Sequence, residues 1–148
     1  MKHTNRWVVV TLSILMALVL VACSDESGNS SDQPKPAYVE LIEGTGINRV
    51  ILTEKAAQRL DIQTTPVRED QVDGVSRLVI PYAAILYDLS GATWIYTNPE
   101  PFIFIRELVT VDRIDGDLAV LTEGPPAGTA VAVVGVAELY GIDTGVGK

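Results

Sequence analysis

Residues 91–121 have the sequence GATWIYTNPEPFIFIRELVTVDRIDGDLAVL, and this stretch decides the fold. It consists of short runs of Val, Ile, Thr, Tyr and Phe, which favour strands, separated by Gly, Asp, Asn and Pro, which favour turns. Asp115, Gly116 and Asp117 form the clearest turn, because Gly tolerates a positive φ and Asp bonds to neighbouring backbone amides. The stretch therefore predicts antiparallel strands that are joined by tight hairpins.

The same pattern continues on both sides, so we expect an all-β fold, a small β-barrel or sandwich of about eight short strands with one short α-helix. The helix is predicted over 54–60, because Thr53 can cap it and Glu54 and Arg59 suit its two ends. A second helical turn is expected at 137–140. The strands are predicted near 48–52, 62–67, 71–79, 84–87, 93–97, 103–114, 118–121 and 129–136.

Residues 1–22 have the three parts of an export signal peptide. Lys2, His3 and Arg6 supply positive charge, residues 7–19 are apolar apart from Thr11 and Ser13, and Leu-Val-Ala-Cys follows at 20–23. This tetrad resembles the lipobox of bacterial lipoproteins, which implies that Cys23 is acylated and becomes the first residue of the mature chain. The alternative is an uncleaved membrane anchor, since about 18 apolar residues can span a bilayer.

The composition changes directly after Cys23. Residues 24–37 contain no large apolar side chain, so they cannot bury surface and are expected to be disordered. We therefore predict a lipidated Cys and flexible linker over 23–46, a β domain over 47–140 and a flexible tail over 141–148. Attachment through Cys23 would place the domain at the cell envelope, facing the periplasm, on either the inner or the outer membrane.

The charge of the chain excludes several partners. The 148 residues include 11 basic and 19 acidic side chains, and only Lys2 and Arg6 among the basic ones precede Cys23. A chain that begins at Cys23 therefore has 9 basic and 19 acidic residues and a net charge of −10. Such a surface repels phosphate backbones, so we expect no nucleic-acid partner, and membrane attachment only through the lipid anchor.

The residue types after Cys23 also limit the chemistry. The single His and both Met residues of the chain precede Cys23, which is its one Cys. A Ser-His-Asp triad, a thiol nucleophile and a zinc or copper site with nitrogen or sulfur ligands therefore cannot be built. We expect no catalytic residue, no metal, no cofactor and no enzymatic activity.

Carboxylates are the remaining candidates for chemistry. They gather near predicted turns, where Ca²⁺ could bind weakly or a carboxylate-dependent hydrolase could place its pair, although ordinary solvated turn acids are the simpler interpretation. The residues concerned are Asp112, Asp115, Asp117, Glu69, Asp70, Asp73 and Asp88.

Aromatic residues are the candidates for a partner interface. Trp94 and Tyr96 alternate along one predicted strand and so share a face, as do Phe102 and Phe104. These faces could form the core, or they could be exposed and bind a partner, because Trp and Tyr concentrate binding energy. The possible interface residues are Tyr82, Trp94, Tyr96, Phe102 and Phe104.

Residues 78–140 resemble periplasmic adaptor subunits, also called membrane fusion proteins, of resistance-nodulation-division (RND) efflux systems. The similarity is carried, in order, by VIPYAAILYD at 79–88, GATWIY at 91–96, RELVTV at 106–111, DLAVLTEG at 117–124 and GTAVAVVGVAEL at 128–139. Residues 50–67 are similar to the helix-bearing start of the family's β-barrel domain, with Asp61 in place of a Gly.

The resemblance implies the membrane-proximal β domain of an adaptor, which lies next to the inner-membrane transporter. Only residues 68–77 separate the two similar stretches, where a full adaptor has a lipoyl domain and an α-helical hairpin. We therefore expect a lipid-anchored, adaptor-like component of an RND-type efflux system that contacts the transporter or a full-length adaptor. The alternative is a small ligand-binding envelope lipoprotein with an apolar barrel interior, unrelated to efflux.

Overall fold

A computed structural model of the chain describes residues 35–145. The predicted signal peptide and Cys23 lie outside these residues, as does the end of the predicted tail. No helix between residues 35 and 145 combines the length and apolar character that a membrane crossing requires.

The described residues form eleven strands and two α-helices, with a 3₁₀ turn at Tyr82–Ala84. Their bounds, in chain order, are β1 (Ala37–Ile42), β2 (Ile47–Leu52), α1 (Glu54–Arg59), β3 (Gln63–Pro66), β4 (Arg68–Val72), β5 (Val75–Pro81), β6 (Leu86–Tyr87), β7 (Thr93–Glu100), β8 (Ile103–Leu108), β9 (Thr110–Asp115), β10 (Leu118–Glu123), β11 (Ala130–Val134) and α2 (Val136–Thr144).

The strands build two antiparallel sheets. The larger sheet has seven strands in the order β1-β2-β8-β7-β11-β3, with β6 also paired to β7, and the smaller has the order β4-β5-β10-β9. The prediction of an all-β fold is confirmed, in its sandwich form. A closed barrel is not formed, because the outer strands of each sheet do not pair with one another within residues 35–145.

The larger sheet lies between the helices and the smaller sheet. Neighbouring residues of β7 point to opposite faces, so Tyr96 joins the core cluster that contains Leu139 of α2, while Ile95 joins the cluster that contains Ile80 of β5. Both residues are fully buried. Each large apolar side chain buried in this way stabilises the fold by about 1.5–3 kcal/mol.

The predicted helix is confirmed as α1. Thr53 caps it, since Oγ1 of Thr53 accepts a hydrogen bond of 3.2 Å from the backbone N–H of Ala56. Ala56 and Ala57 are buried against the larger sheet.

Two of the predicted strands are wrong, because in each case the structure has two strands where the sequence predicted one. The run 71–79 belongs to the β4–β5 hairpin, which turns at Asp73 and Gly74, both with positive φ. The run 103–114 is divided at Val109, where the chain leaves the larger sheet in β8 and enters the smaller one in β9. The predicted strand 84–87 is reduced to β6, because the 3₁₀ turn occupies its start.

The predicted boundaries of the domain are also wrong. The expected linker over 23–46 contains β1, because Tyr38, Val39 and Leu41 extend the apolar pattern before Ile47. The expected tail over 141–148 contains the end of α2, which continues past Gly141 to Thr144 and buries Asp143.

Candidate functional site

The five aromatic residues predicted to form a partner interface do not share one surface. Tyr96 and Phe104 are buried in the helix-side core, so neither is available to a partner in the folded protein. Phe102 is exposed in the turn between β7 and β8, where its φ of +64° breaks the alternation that would have placed it beside Phe104. Trp94 lies at the opposite end of the β7–β8 hairpin, and Tyr82 is exposed on the 3₁₀ turn.

A buried carboxylate connects α2 to the larger sheet. The Tyr96 hydroxyl donates a hydrogen bond of 2.7 Å to Oδ2 of Asp143, and Nδ2 of Asn48 donates one of 2.9 Å to Oδ1. Nε of Arg106 lies 3.5 Å from Asp143 Oδ2 and completes the charge pair. We call Asn48, Tyr96, Arg106 and Asp143 the polar centre.

Arg106 carries this network toward the surface. Its guanidinium carbon lies 4.6 Å from the centre of the Trp94 ring, within the range of a cation–π contact. Nε1 of Trp94 in turn donates a hydrogen bond of 2.9 Å to Oδ2 of Asp88, in the turn after β6. The Trp94 indole therefore contacts Arg106 through the face of its ring and Asp88 through its N–H group.

The protonation of these groups follows from their surroundings. Burial, together with the hydrogen bond to Asp143, raises the pKa of Tyr96, so the phenol remains neutral at ordinary pH. Hydrogen bonds from Ser90 and Trp94 lower the pKa of Asp88 to about 2. Tyr96 is therefore a neutral hydrogen-bond donor in this network, and Asp88 is an ionised acceptor.

An open cleft of about 560 Å³ lies between the end of the larger sheet and the edge strand β9. Three large apolar side chains line it, and each is substantially exposed: Tyr87 by 50%, Leu108 by 56% and Ile114 by 40%. Ile114 pairs with the buried Ala119 and therefore belongs to the inner face of the smaller sheet, beyond the part that the larger sheet covers. We call this surface the lateral cleft.

Tyr82 extends the lateral cleft. Burial and the neighbouring Tyr82 phenol raise the pKa of Tyr87. Tyr82 itself is 44% exposed. Of the five predicted interface residues, Tyr82 neighbours Tyr87 of this cleft, and Trp94 lies directly opposite Leu108 across the β7–β8 pairing.

Two of the predicted acidic candidates, Asp73 and Asp112, form ion pairs with Arg113. Its guanidinium lies 2.7 Å from Oδ2 of Asp73 and 3.7 Å from Oδ2 of Asp112, and the hydrogen bond with Asp73 raises the pKa of Arg113. Over residues 35–145, no three Asp, Glu, His or Cys side chains converge in a way that could hold a metal ion.

A second open groove, of about 860 Å³, lies between β1 and α2. Its lining combines Ala37, Tyr38 and Val39 of β1 with Leu60 and with Ile142 of α2. We call it the β1 groove.

Sequence reasoning missed most of these residues. Asp143 lies in a stretch predicted to be a tail, and Asn48, its hydrogen-bond partner, is 95 residues away, so no local pattern connects them. The lateral cleft depends on the change of sheet at Val109, which the uninterrupted run 103–114 conceals. Leu108 carried one usable signal, since it alternates with Arg106 and Phe104 along the strand.

No protein-family model matches the chain, and neither the curated proteins nor the solved structures searched gave a match.

Proposed function

We propose that this chain is a lipid-anchored, adaptor-like component of an RND-type efflux system. In this proposal Cys23 holds it at the envelope membrane, and the lateral cleft contacts the transporter or a full-length adaptor. The observation that carries the proposal is the grouping of Tyr87, Leu108 and Ile114 as exposed large apolar side chains around one cleft, with the exposed Tyr82 next to Tyr87.

The composition of the cleft supports protein binding. Exposed aromatic and aliphatic side chains that lie together gain free energy when a partner removes them from water, at about 25 cal/mol for each Å² of apolar surface buried. Tyr is among the residues enriched at the energetic centres of interfaces. All four side chains also lie within residues 78–140, the stretch that resembles the adaptor family.

The rigidity of the cleft supports the same conclusion. Leu108 and Ile114 lie on paired strands, while Tyr87 precedes the turn in which Asp88 accepts hydrogen bonds from the backbone N–H groups of Ser90 and Ala92. A partner that binds such a surface loses little free energy in ordering it, because the side chains already stand on fixed backbone.

Site-specific photocrosslinking in intact cells tests the proposal. A photoreactive phenylalanine analogue at Leu108 should crosslink the full-length protein to an inner-membrane transporter or an adaptor, identified by mass spectrometry. The same analogue at Val75, which is 51% exposed at the start of β5, is the matched control and should give no such product. If Leu108 yields no transporter or adaptor, or if Val75 yields the same product, the proposed contact is wrong.

The anchor is tested separately. Cys23→Ser should abolish incorporation of labelled palmitate and release the protein from the membrane fraction. Retention of Cys23→Ser in the membrane after a high-salt wash would contradict attachment through acylation.

The second candidate function, a small ligand-binding envelope lipoprotein, now rests on the β1 groove. The interior is filled by the two core clusters, whereas the groove is open and its volume of about 860 Å³ lies within the usual range of ligand sites. Native mass spectrometry of the full-length protein distinguishes the two. A bound small molecule that is lost in Ile142→Asp would favour this candidate, and a ligand-free protein would count against it.

A further inference from the structure

β1 is the outermost strand of the larger sheet, and among residues 35–145 it pairs with β2 alone. Its side chains are unusually apolar for such a position: Tyr38 is 45% exposed and Leu41 is 64% exposed. An outer strand of this kind can pair with a strand from another molecule, because no strand within residues 35–145 occupies the second side of its backbone.

The hydrogen-bonding pattern identifies the unoccupied groups. The backbone N–H of Thr53 donates to the carbonyl of Pro36 at 3.0 Å, and the β1–β2 pairing continues without a register shift to Ile42 and Ile47. Since antiparallel strands alternate between bonded and non-bonded pairs, Tyr38 and Glu40 direct their N–H and C=O groups toward β2. Ala37, Val39 and Leu41 therefore direct theirs outward.

The other outer strands carry protection that β1 lacks. β3 is four residues long and ends at Pro66, β4 carries Arg68, Glu69 and Asp70, and β9 carries Asp112, Arg113 and Asp115. Proline, short length and charge are the usual features that prevent edge-to-edge association. Within β1, Glu40 is the single charged residue.

We propose that a second copy of this chain pairs with β1 through its own β1, forming an antiparallel dimer. Two identical strands that pair in this way are related by a two-fold axis perpendicular to the sheet, so facing residues lie on the same face of both copies. The axis must then pass midway between one residue of the strand and the same residue of the second copy.

Charge and overlap select the residue at the axis. An axis at Val39 or at Glu40 pairs five of the six residues of β1. The axis at Val39 places Tyr38 opposite Glu40 of the second copy and brings Lys35, just before the strand, near Glu43 of the second copy, in the turn after it. An axis at Glu40 would place two carboxylates directly opposite each other, which is unfavourable. The Val39 register therefore gains two opposite-charge pairs and avoids a like-charge pair.

The apolar side chains favour the same register. Ala37 and Val39 face Leu52 and Val50 across the β1–β2 ladder, so with Leu41 they lie on the face that packs against α2. In the Val39 register, Ala37 of one copy faces Leu41 of the other, and the two Val39 side chains face each other. The join would thus extend the floor of the β1 groove from one copy to the next.

Cysteine crosslinking of the full-length protein in its membrane tests the register. Bonded antiparallel pairs have Cα atoms about 5.5 Å apart, within the range a disulfide spans, so Val39→Cys should give a covalent dimer under a mild oxidant. Tyr38→Cys alone should not, because two Tyr38 residues are diagonal neighbours. Co-expression of Tyr38→Cys with Glu40→Cys should restore the dimer, and the wild-type chain, which keeps Cys23, is the control.

Sedimentation equilibrium of the full-length protein in density-matched detergent tests the association without crosslinks. Val39→Pro removes an outward N–H and leaves the β1–β2 hydrogen bonds intact, so it should give a monomer with an unchanged far-UV circular dichroism spectrum. Lys35→Glu should weaken the dimer roughly tenfold, because it makes two like-charge pairs in each dimer, and Lys35→Glu with Glu43→Lys should restore it.

Two results would overturn the proposal. One is a wild-type protein that stays monomeric at concentrations up to roughly 1 mM, because a dimer with a weaker dissociation constant than this would not count as specific. The other is a dimer that survives Val39→Pro or gives no Val39→Cys crosslink. Because Leu108 and the lateral cleft lie outside β1, neither result bears on the contact proposed for efflux.

Discussion

The hydroxyl of Tyr96 lies 2.7 Å from Oδ2 of Asp143, and this bond joins two residues that are 47 positions apart in the chain. This hydrogen bond connects α2 to β7, a central strand of the larger sheet. Because Asp143 is 5% exposed, water cannot replace the donor that Tyr96 provides.

Tyr96→Phe should therefore destabilise the protein. It retains the ring in the core but leaves a buried carboxylate with one donor fewer, and the free energy of unfolding should fall by about 2 kcal/mol. Urea unfolding of the full-length protein measures the change. Tyr87→Phe, at an exposed phenol, is the matched control and should lie within about 0.5 kcal/mol of wild type; equal effects of the two variants would contradict a special role for Tyr96.

Stability should also decline in alkali because of Tyr96. The pKa of Tyr96 is raised in the folded protein, so above the ordinary tyrosine pKa of about 10 the unfolded chain loses a proton that the folded chain keeps. The stabilisation is complete below pH 10 and falls by about 1 kcal/mol by pH 11. Urea unfolding at pH 8 and pH 11 should show this loss in wild type and a smaller loss in Tyr96→Phe; identical losses would refute it.

Asp88 should respond to acid in the opposite sense. Its pKa is lowered to about 2, chiefly by hydrogen bonds from Ser90 and Trp94, so its contribution to stability is present above about pH 4 and lost as the pH falls toward 2. The indole N–H resonance of Trp94 should shift with a midpoint near pH 2. In Asp88→Asn this transition should disappear, and a midpoint near pH 4 in wild type would contradict the proposed hydrogen bonds.

Gly135, which precedes α2, should tolerate substitution far less than Gly46. Both have positive φ, +80° and +69°, so alanine strains either backbone by about 1–2 kcal/mol. A Cβ at Gly135 would also collide with Cδ1 of Ile62, whereas at Gly46 it would meet nothing within 4 Å.

Gly135→Ala should consequently lower the thermal unfolding midpoint clearly more than Gly46→Ala does. Differential scanning calorimetry of the two full-length variants measures the difference. Equal midpoints would mean that Ile62 moves aside without loss of packing.

The sequence predicted the fold class better than it predicted where strands end and which sheet each strand joins. The all-β class, α1 and the turn at 115–117 follow from local residue preferences, which the structure retains. The division of residues 103–114 into β8 and β9 at Val109 could not be predicted from the sequence. A chain that passes from one sheet to another keeps the same apolar pattern as a single continuous strand. The backbone N–H of Val109 bonds to Thr93 at 3.0 Å and its side chain enters the second core cluster, and both contacts are long-range.

The candidate site was predicted in part for a similar reason. Alternation correctly placed Trp94 and Tyr96 on one face, but it could not say that α2 would cover Tyr96. Tyr82 is exposed, but the side chains that form the nearby cleft come from β8 and β9, which were predicted to be one strand. β1 was missed because the polar residues before it and the turn after it resemble a linker.

The separation of 95 positions between Asn48 and Asp143 has a consequence for biosynthesis. When the ribosome is adding β11, Asn48, Tyr96 and Arg106 have already been synthesised. Asp143, the carboxylate that they contact in the folded protein, has not. The packing around the polar centre is therefore completed only after α2 has been synthesised.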